Sequence, residues 1–222
     1  MSTQSPPLNP PKRTNTGLIV GIVVALVAAA AIVFAVAGGR STKKDVVASS
    51  PSGENQAVVV AGDALPDMPD SGADPAVGKK APTLHGYGFN GSPVDIVPGQ
   101  GKAQLVVFVA HWCPHCQREV PLLVAWMASG KARPDLQITA VSTGVAKERG
   151  NWPPSAWLAK VNWPKPVVAD SADREAATAY GLTSYPYFVV LKADGTVAYR
   201  GSGEISMTDL SAKLDEVLGK AA

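Results

Sequence analysis

Two hydrophobic patterns divide the chain. From Leu18 to Ala37 it reads LIVGIVVALVAAAAIVFAVA, twenty residues without a charge or a strongly polar group, with Lys12-Arg13 before and Arg40, Lys43 and Lys44 after. As a helix this run is long enough to span the roughly 30 Å of bilayer hydrocarbon, longer than the apolar region of a typical cleaved leader. It reads as one transmembrane signal-anchor helix, residues 18–37. The small-x-small triplet Ala35-Val36-Ala37 keeps open a cleaved, secreted form. No Cys stands at the boundary to carry a lipid. Positive charge on both flanks leaves the orientation undecided by the positive-inside bias.

Beyond residue 76 the pattern changes to alternating short strands and helices, the signature of an α/β domain. Asn90-Gly91 between 84–89 and 93–97 predicts an opening β-hairpin or extended pair. The run 103–110 (AQLVVFVA) is continuously apolar, as in a central strand buried on both faces, and places Phe108 in the core. Helical spacing follows over 114–127, with Pro114 in the first turn and Val120, Leu123, Val124 and Met127 on the inner face. The remaining expectations are a strand over 136–142, a helix over 155–161, a strand fragment at 167–169, a helix over 172–180 ended by Gly181, and a strand over 187–191. The turn Asp194-Gly195 then leads into 197–200, and a last helix over 206–218 starts at Ser206-x-x-Asp209, close to a capping box. The order β-α-β-α, then β-β-α, calls for parallel strands first and an antiparallel hairpin after. Trp152, Trp157 and Trp163 read as packing residues.

The segments outside this pattern are polar. Residues 1–17 read as a disordered cytoplasmic tail and 38–75 as a flexible acidic linker, with six acids and no base between Asp45 and Asp74. Only the apolar patch 57–61 offers a site for local pairing. The domain is thus assigned to 76–222. A formal charge of +2 on 222 residues, with Lys and Arg scattered, argues against nucleic acid as a partner.

The chain's only two cysteines stand in Trp112-Cys113-Pro114-His115-Cys116, where the buried strand becomes a helix. A disulfide across so short a loop stabilises a fold by only about 2 kcal/mol, too little to explain the pair as a staple. At a helix N-terminus, unpaired N–H groups and the positive end of the dipole favour an anion, so Cys113 is expected to be held ready as a thiolate. Cys116, one turn on and facing inward, is the natural resolving thiol. His115, when protonated, would add positive charge and make the pair more oxidising; the alternative is a surface His with no electrostatic role. Trp112 is expected beside Cys113, shaping the substrate face. Zinc would need four ligands, and His85 and His111 are too isolated to complete a set. No metal and no cofactor is therefore expected.

These residues carry a resemblance. The strand end Val106-Val107-Phe108-Val109-Ala110-His111-Trp112 before C-x-x-C, the extension Cys116-x-x-Glu119-x-Pro121, the segment 180–188 around Pro186 and the turn Asp194-Gly195-Thr196 resemble the thioredoxin superfamily. Within it they resemble the membrane-anchored, extracytoplasmic TlpA/ResA-like branch, over about residues 76–220. The resemblance implies a thioredoxin-like α/β fold, with a central mixed sheet flanked by helices and an N-terminal β-hairpin extension. It implies a cis Tyr185-Pro186 bond that leaves the Tyr185 backbone free to pair with a substrate peptide, and a carboxylate at Glu119 that exchanges a proton with the thiols, unless Glu119 is only a solvated helix-surface residue. There are departures. Val107 stands where thioredoxins carry a buried Asp, and Pro114-His115 is the dipeptide of DsbA-type oxidases.

The expected function is thiol–disulfide exchange with exported proteins, on the extracytoplasmic side of the membrane, with a membrane redox partner. The Pro-His dipeptide tips the direction toward oxidation. The alternatives are reduction of apocytochrome c or other exported thiols, as in cytochrome c maturation, and a client-binding module without catalysis, which would need neither thiol. A peroxide-reducing site of the Thr-x-x-Cys type is absent from the sequence.

Overall fold

The computed structural model describes residues 52–220. The tail at 1–17, the span at 18–37 and the first part of the linker, 38–51, lie outside the described residues. Among the described residues no helix is long and apolar enough to cross a membrane.

The centre of the domain is β4 (Gln104–Val109), in which all six residues are buried. Such a strand needs cover on both faces and partners on both edges. It has β5 (Gln137–Ser142) in parallel on one edge and β7 (Tyr187–Leu191) antiparallel on the other. Outside these lie β6 (Val167–Ala169) and β8 (Val197–Ser202), giving a five-stranded mixed sheet in the order β6-β5-β4-β7-β8. This is the sheet expected of a thioredoxin-like domain, parallel strands first and an antiparallel hairpin after.

The period-2 alternation of β4 divides the core. Val106 and Phe108 face one layer, where Phe108 meets the rings of Tyr180 and Tyr187 at 5.4 and 5.7 Å. Leu105, Val107 and Val109 face the other, built with α1 (Pro114–Ala128) and α4 (Met207–Leu218). The expected inner face of α1 is slightly rotated. Cys116, Glu119, Val120, Leu123 and Trp126 are the buried residues, whereas Val124 and Met127 are only partly buried. Trp126 owes its place to a partner on α4, since its indole N–H donates to Ser211 Oγ at 3.0 Å. The other helices are α2 (Pro154–Lys160) and α3 (Glu175–Ala179). Ser206 caps α4, its Oγ accepting from the Asp209 amide at 3.1 Å. Of the three tryptophans assigned to packing, Trp157 is buried and Trp163 partly so, while Trp152 is 39 % exposed.

The hairpin around Asn90-Gly91 is formed by β2 (Thr83–Tyr87) and β3 (Pro93–Ile96), and it gains a third strand, β1 (Val59–Ala61), paired to β2. This corrects the linker assignment for residues 52–75, which belong to the folded domain. Val58 and Leu65 are buried in the core. The amides of Leu65 and Met68 donate to Ala179 O and Gly181 O at 2.9 and 3.0 Å. Two of the acids are not solvating groups. Glu54 accepts from the Ser155 amide and hydroxyl at 2.8 and 2.6 Å at the start of α2. Asp74 makes a two-pronged ion pair with Arg200, whose side chain is fully buried, at 2.5 and 2.8 Å. Gly181 makes the close approach possible: it sits at φ +66, and a Cβ there would collide with the Pro66 carbonyl.

Candidate active site

The end of β4 delivers Cys113 to the mouth of α1. Cys113 is the N-cap residue, in extended conformation (φ −74, ψ 120), with its amide bound to Ala110 O and its carbonyl accepting from Gln117 N, both at 3.0 Å. Pro114 in the first turn has no N–H to leave unpaired, which explains why the helix starts there. Cys113 is 5 % exposed and Cys116 fully buried, one turn deeper in the core layer that holds Val107, Val109 and Val120. Both are free thiols. Burial pushes the Cys116 thiol far above the ordinary range, and the neighbouring Cys113 sulfur and Glu119 carboxylate push in the same direction.

The structure brings most of the expected site residues together. The Tyr185–Pro186 bond is cis. The Tyr185 carbonyl faces the nucleophile, with Cys113 Sγ 3.9 Å away. Trp112 stands edge-on to the Tyr185 ring at 5.7 Å and donates from Nε1 to Gly144 O at 2.7 Å. Glu119 is not a surface residue. It is 1 % exposed, its Oε1 accepts from the Ile205 amide at 3.4 Å, and burial pushes its carboxyl up to about 7, with the charge of Glu204 adding to the shift. His115 is exposed but not without partners. Its Nδ1 lies 2.6 Å from Glu204 Oε1 and 2.9 Å from Arg118 Nη2.

Several contributors were missed in the sequence. The loop after β5 packs on Trp112 through Gly144 and through Arg149, whose guanidinium lies 3.7 Å from the ring centroid. Gly144 is at φ +59, and a Cβ there would come within 2.6 Å of the Tyr185 hydroxyl. His111, given no role in the sequence beyond the strand-end motif and a rejected zinc set, anchors this loop: its Nδ1 is 2.7 Å from Gly150 O, and its Nε2 accepts from the Ala146 amide at 3.2 Å. Among the described residues no group of three or more His, Cys, Asp or Glu side chains is placed to hold a metal ion. The last missed element is the turn after β8. Gly203 donates to Pro186 O at 2.9 Å, and Glu204 and Ile205 reach the active-site helix.

With this geometry in view, comparison with known proteins is decisive for the family. The model of the AhpC/TSA family matches residues 77–200, more than half of the chain. The chain belongs to the AhpC/TSA family. It is 29 % identical over 150 residues to the soluble secreted antigen MPT53 of Mycobacterium tuberculosis, covering 68 % of this chain and 76 % of that protein. It is 28 % identical over 129 residues to the methylamine utilization protein MauD of Paracoccus denitrificans, covering 57 % of this chain and 59 % of that one. A thiol:disulfide interchange protein of the thioredoxin family from Chlorobium tepidum shares the fold, with a TM-score of 0.52 and 24 % identity, over 67 % of this chain and all of that chain. The thioredoxin-like fold, the family and the paired thiols at the helix mouth identify a thiol–disulfide oxidoreductase.

Proposed function

We propose that this oxidoreductase exchanges disulfides with exported proteins outside the cytoplasm, tethered by residues 18–37 and served by a redox partner in the same membrane. The observation that carries the reading is the stacking of functions around two sulfurs. Cys113 lies at a helix mouth facing the Tyr185 carbonyl, and Cys116 is sealed beneath it beside a buried carboxyl.

In the oxidising direction a client thiolate attacks Cys113 Sγ of the Cys113–Cys116 disulfide. The bond between the two enzyme sulfurs breaks, Cys116 leaves, and the proton it needs is supplied by the Glu119 carboxylic acid. A second client thiolate then attacks the client sulfur of the mixed disulfide and releases Cys113 as a thiolate. Two client thiols become one disulfide and the enzyme becomes a dithiol. Reduction runs the same steps backwards, with Glu119 accepting the Cys116 proton. Trp112, Tyr185 and Pro186 form the surface that receives the client backbone.

The Pro-His dipeptide weighs toward oxidation. A second reading, reduction of disulfides in apocytochrome c or other exported proteins, is favoured by Glu119: a proton acceptor with a carboxyl near 7 beside the buried thiol suits a dithiol that must be deprotonated to work. The secreted relative MPT53 supports the extracytoplasmic placement. Ala110 stands three residues before Cys113, where a peroxide-reducing site would carry Thr.

Cys116→Ser expressed in the native host tests the reading. It is expected to accumulate covalent complexes with exported proteins, released by reductant and lost in the Cys113→Ser/Cys116→Ser double variant. No such complexes, or complexes with cytoplasmic proteins alone, would sink it. The potential of the wild-type couple fixes the direction, toward about −120 mV for an oxidant and about −270 mV for a reductant.

A further inference from the structure

The turn between β8 and α4 does something the family resemblance does not call for. It binds Pro186 on one side through the Gly203 amide and meets His115, Arg118 and Glu119 of α1 on the other. At its centre Glu204 receives Arg118 through both carboxylate oxygens, from Nε at 3.1 and 3.2 Å and from Nη2 at 2.5 Å. The same Oε1 lies 2.6 Å from His115 Nδ1. Arg118 is the guanidinium of the first turns of α1, and its charge interacts with Cys113. Glu204 itself is held as a carboxylate, its pKa drawn down to about 2 by Arg118 and His115.

We propose that Glu204 is a positioning residue for the dithiol: its carboxylate gathers His115 and Arg118 and offsets the positive charge of Arg118 near Cys113, so that the couple is less oxidising than Cys-Pro-His-Cys alone would make it. The reasoning rests on the thiol–disulfide reading. Positive charge near Cys113 stabilises the thiolate, which stabilises the reduced form and raises the potential. A fixed anion paired to the Arg118 guanidinium does the reverse. The guanidinium fork and the imidazole are held in one geometry by one carboxylate, and the turn that carries it is pinned to Pro186, so the brake moves with the substrate-binding segment.

The test is equilibration of the full-length wild-type chain, Glu204→Gln and Arg118→Gln with glutathione buffers of graded ratio, reading the dithiol fraction by thiol alkylation and mass. Glu204→Gln leaves Arg118 uncompensated and is expected to shift the equilibrium about three- to tenfold toward the dithiol, about 15–30 mV. Arg118→Gln leaves the carboxylate uncompensated and is expected to shift it the other way. Both shifts are expected to shrink in molar salt, because these charges are exposed. Glu204→Asp keeps the charge on a shorter arm and is expected to return the couple toward wild type, which separates electrostatics from a merely structural loss. A shift under twofold in Glu204→Gln, shifts of the same sign in both neutral variants, or no rescue by Asp would overturn the proposal. A wild-type chain with no reversible Cys113–Cys116 couple would instead overturn the exchange reading beneath it.

Discussion

Glu119 shows how much chemistry one buried carboxyl stores. In water its charge would be solvated on all sides; here it has one amide, that of Ile205, and almost no solvent. Burial therefore raises its pKa to about 7, from an ordinary value near 4.5. Between those values the folded chain holds a proton that the unfolded chain has released. The unfolded state then binds fewer protons than the native state, so stability falls as pH rises through this window. At ~1.4 kcal/mol per unit the loss is about 3 kcal/mol, complete somewhat above pH 7. Glu119→Gln, which keeps the shape and removes the titration, is expected to abolish this slope: urea unfolding at pH 5 and pH 8 should show the wild type losing about 3 kcal/mol more than the variant. Equal losses would mean that Glu119 is ionised in the native state at pH 5 and cannot hold a proton for Cys116.

At the scale of elements, legibility depended on how far a residue's partners lie along the chain. The strands β4 and β7 were readable because an uninterrupted apolar run has no other place to go than the middle of a sheet. The start of α1 was readable because Pro114 and the cysteine pair mark it locally. The turn carrying Glu204 was not, since its meaning comes from His115 and Arg118, 89 and 86 residues away. Nor was the role of Asp74, whose partner Arg200 on β8 is 126 residues distant; by composition alone Asp74 is one more acid in a polar stretch. Burial works against the Asp74 charge, but the hydrogen bonds from Arg200 and the Ala76 amide outweigh it and hold the carboxyl below its usual range. Its contribution is therefore present above the ordinary aspartate value and lost as pH falls through the lower folded one. Asp74→Ala strands a fully buried guanidinium and is expected to cost about 3–5 kcal/mol at neutral pH, measured by denaturant unfolding. A loss below ~1 kcal/mol would mean that the pair behaves as a solvated surface bridge.

For the whole molecule, the contacts of residues 52–75 move the edge of the folding unit. A domain beginning at 76 keeps the five-stranded sheet, both cysteines and Pro186, so every residue of the proposed chemistry survives in it. It lacks β1, the buried Val58 and Leu65, the Glu54 carboxylate at the start of α2 and Asp74, the ion-pair partner of the buried Arg200. Losing one large buried aliphatic side chain alone costs about 2–5 kcal/mol, and stranding the arginine costs as much again, against a total of about 5–15 kcal/mol for a domain of this size. A chain of residues 52–222 is therefore expected to unfold cooperatively, with the full disulfide-exchange rate of the intact protein. A chain of 76–222 is expected to be unfolded or to melt at least ~10 °C lower, since each kcal/mol is worth a few degrees in a domain of this length. Matching melting temperatures for the two would return 52–75 to the status of a spacer, and would show that the sheet and the dithiol are self-sufficient without it.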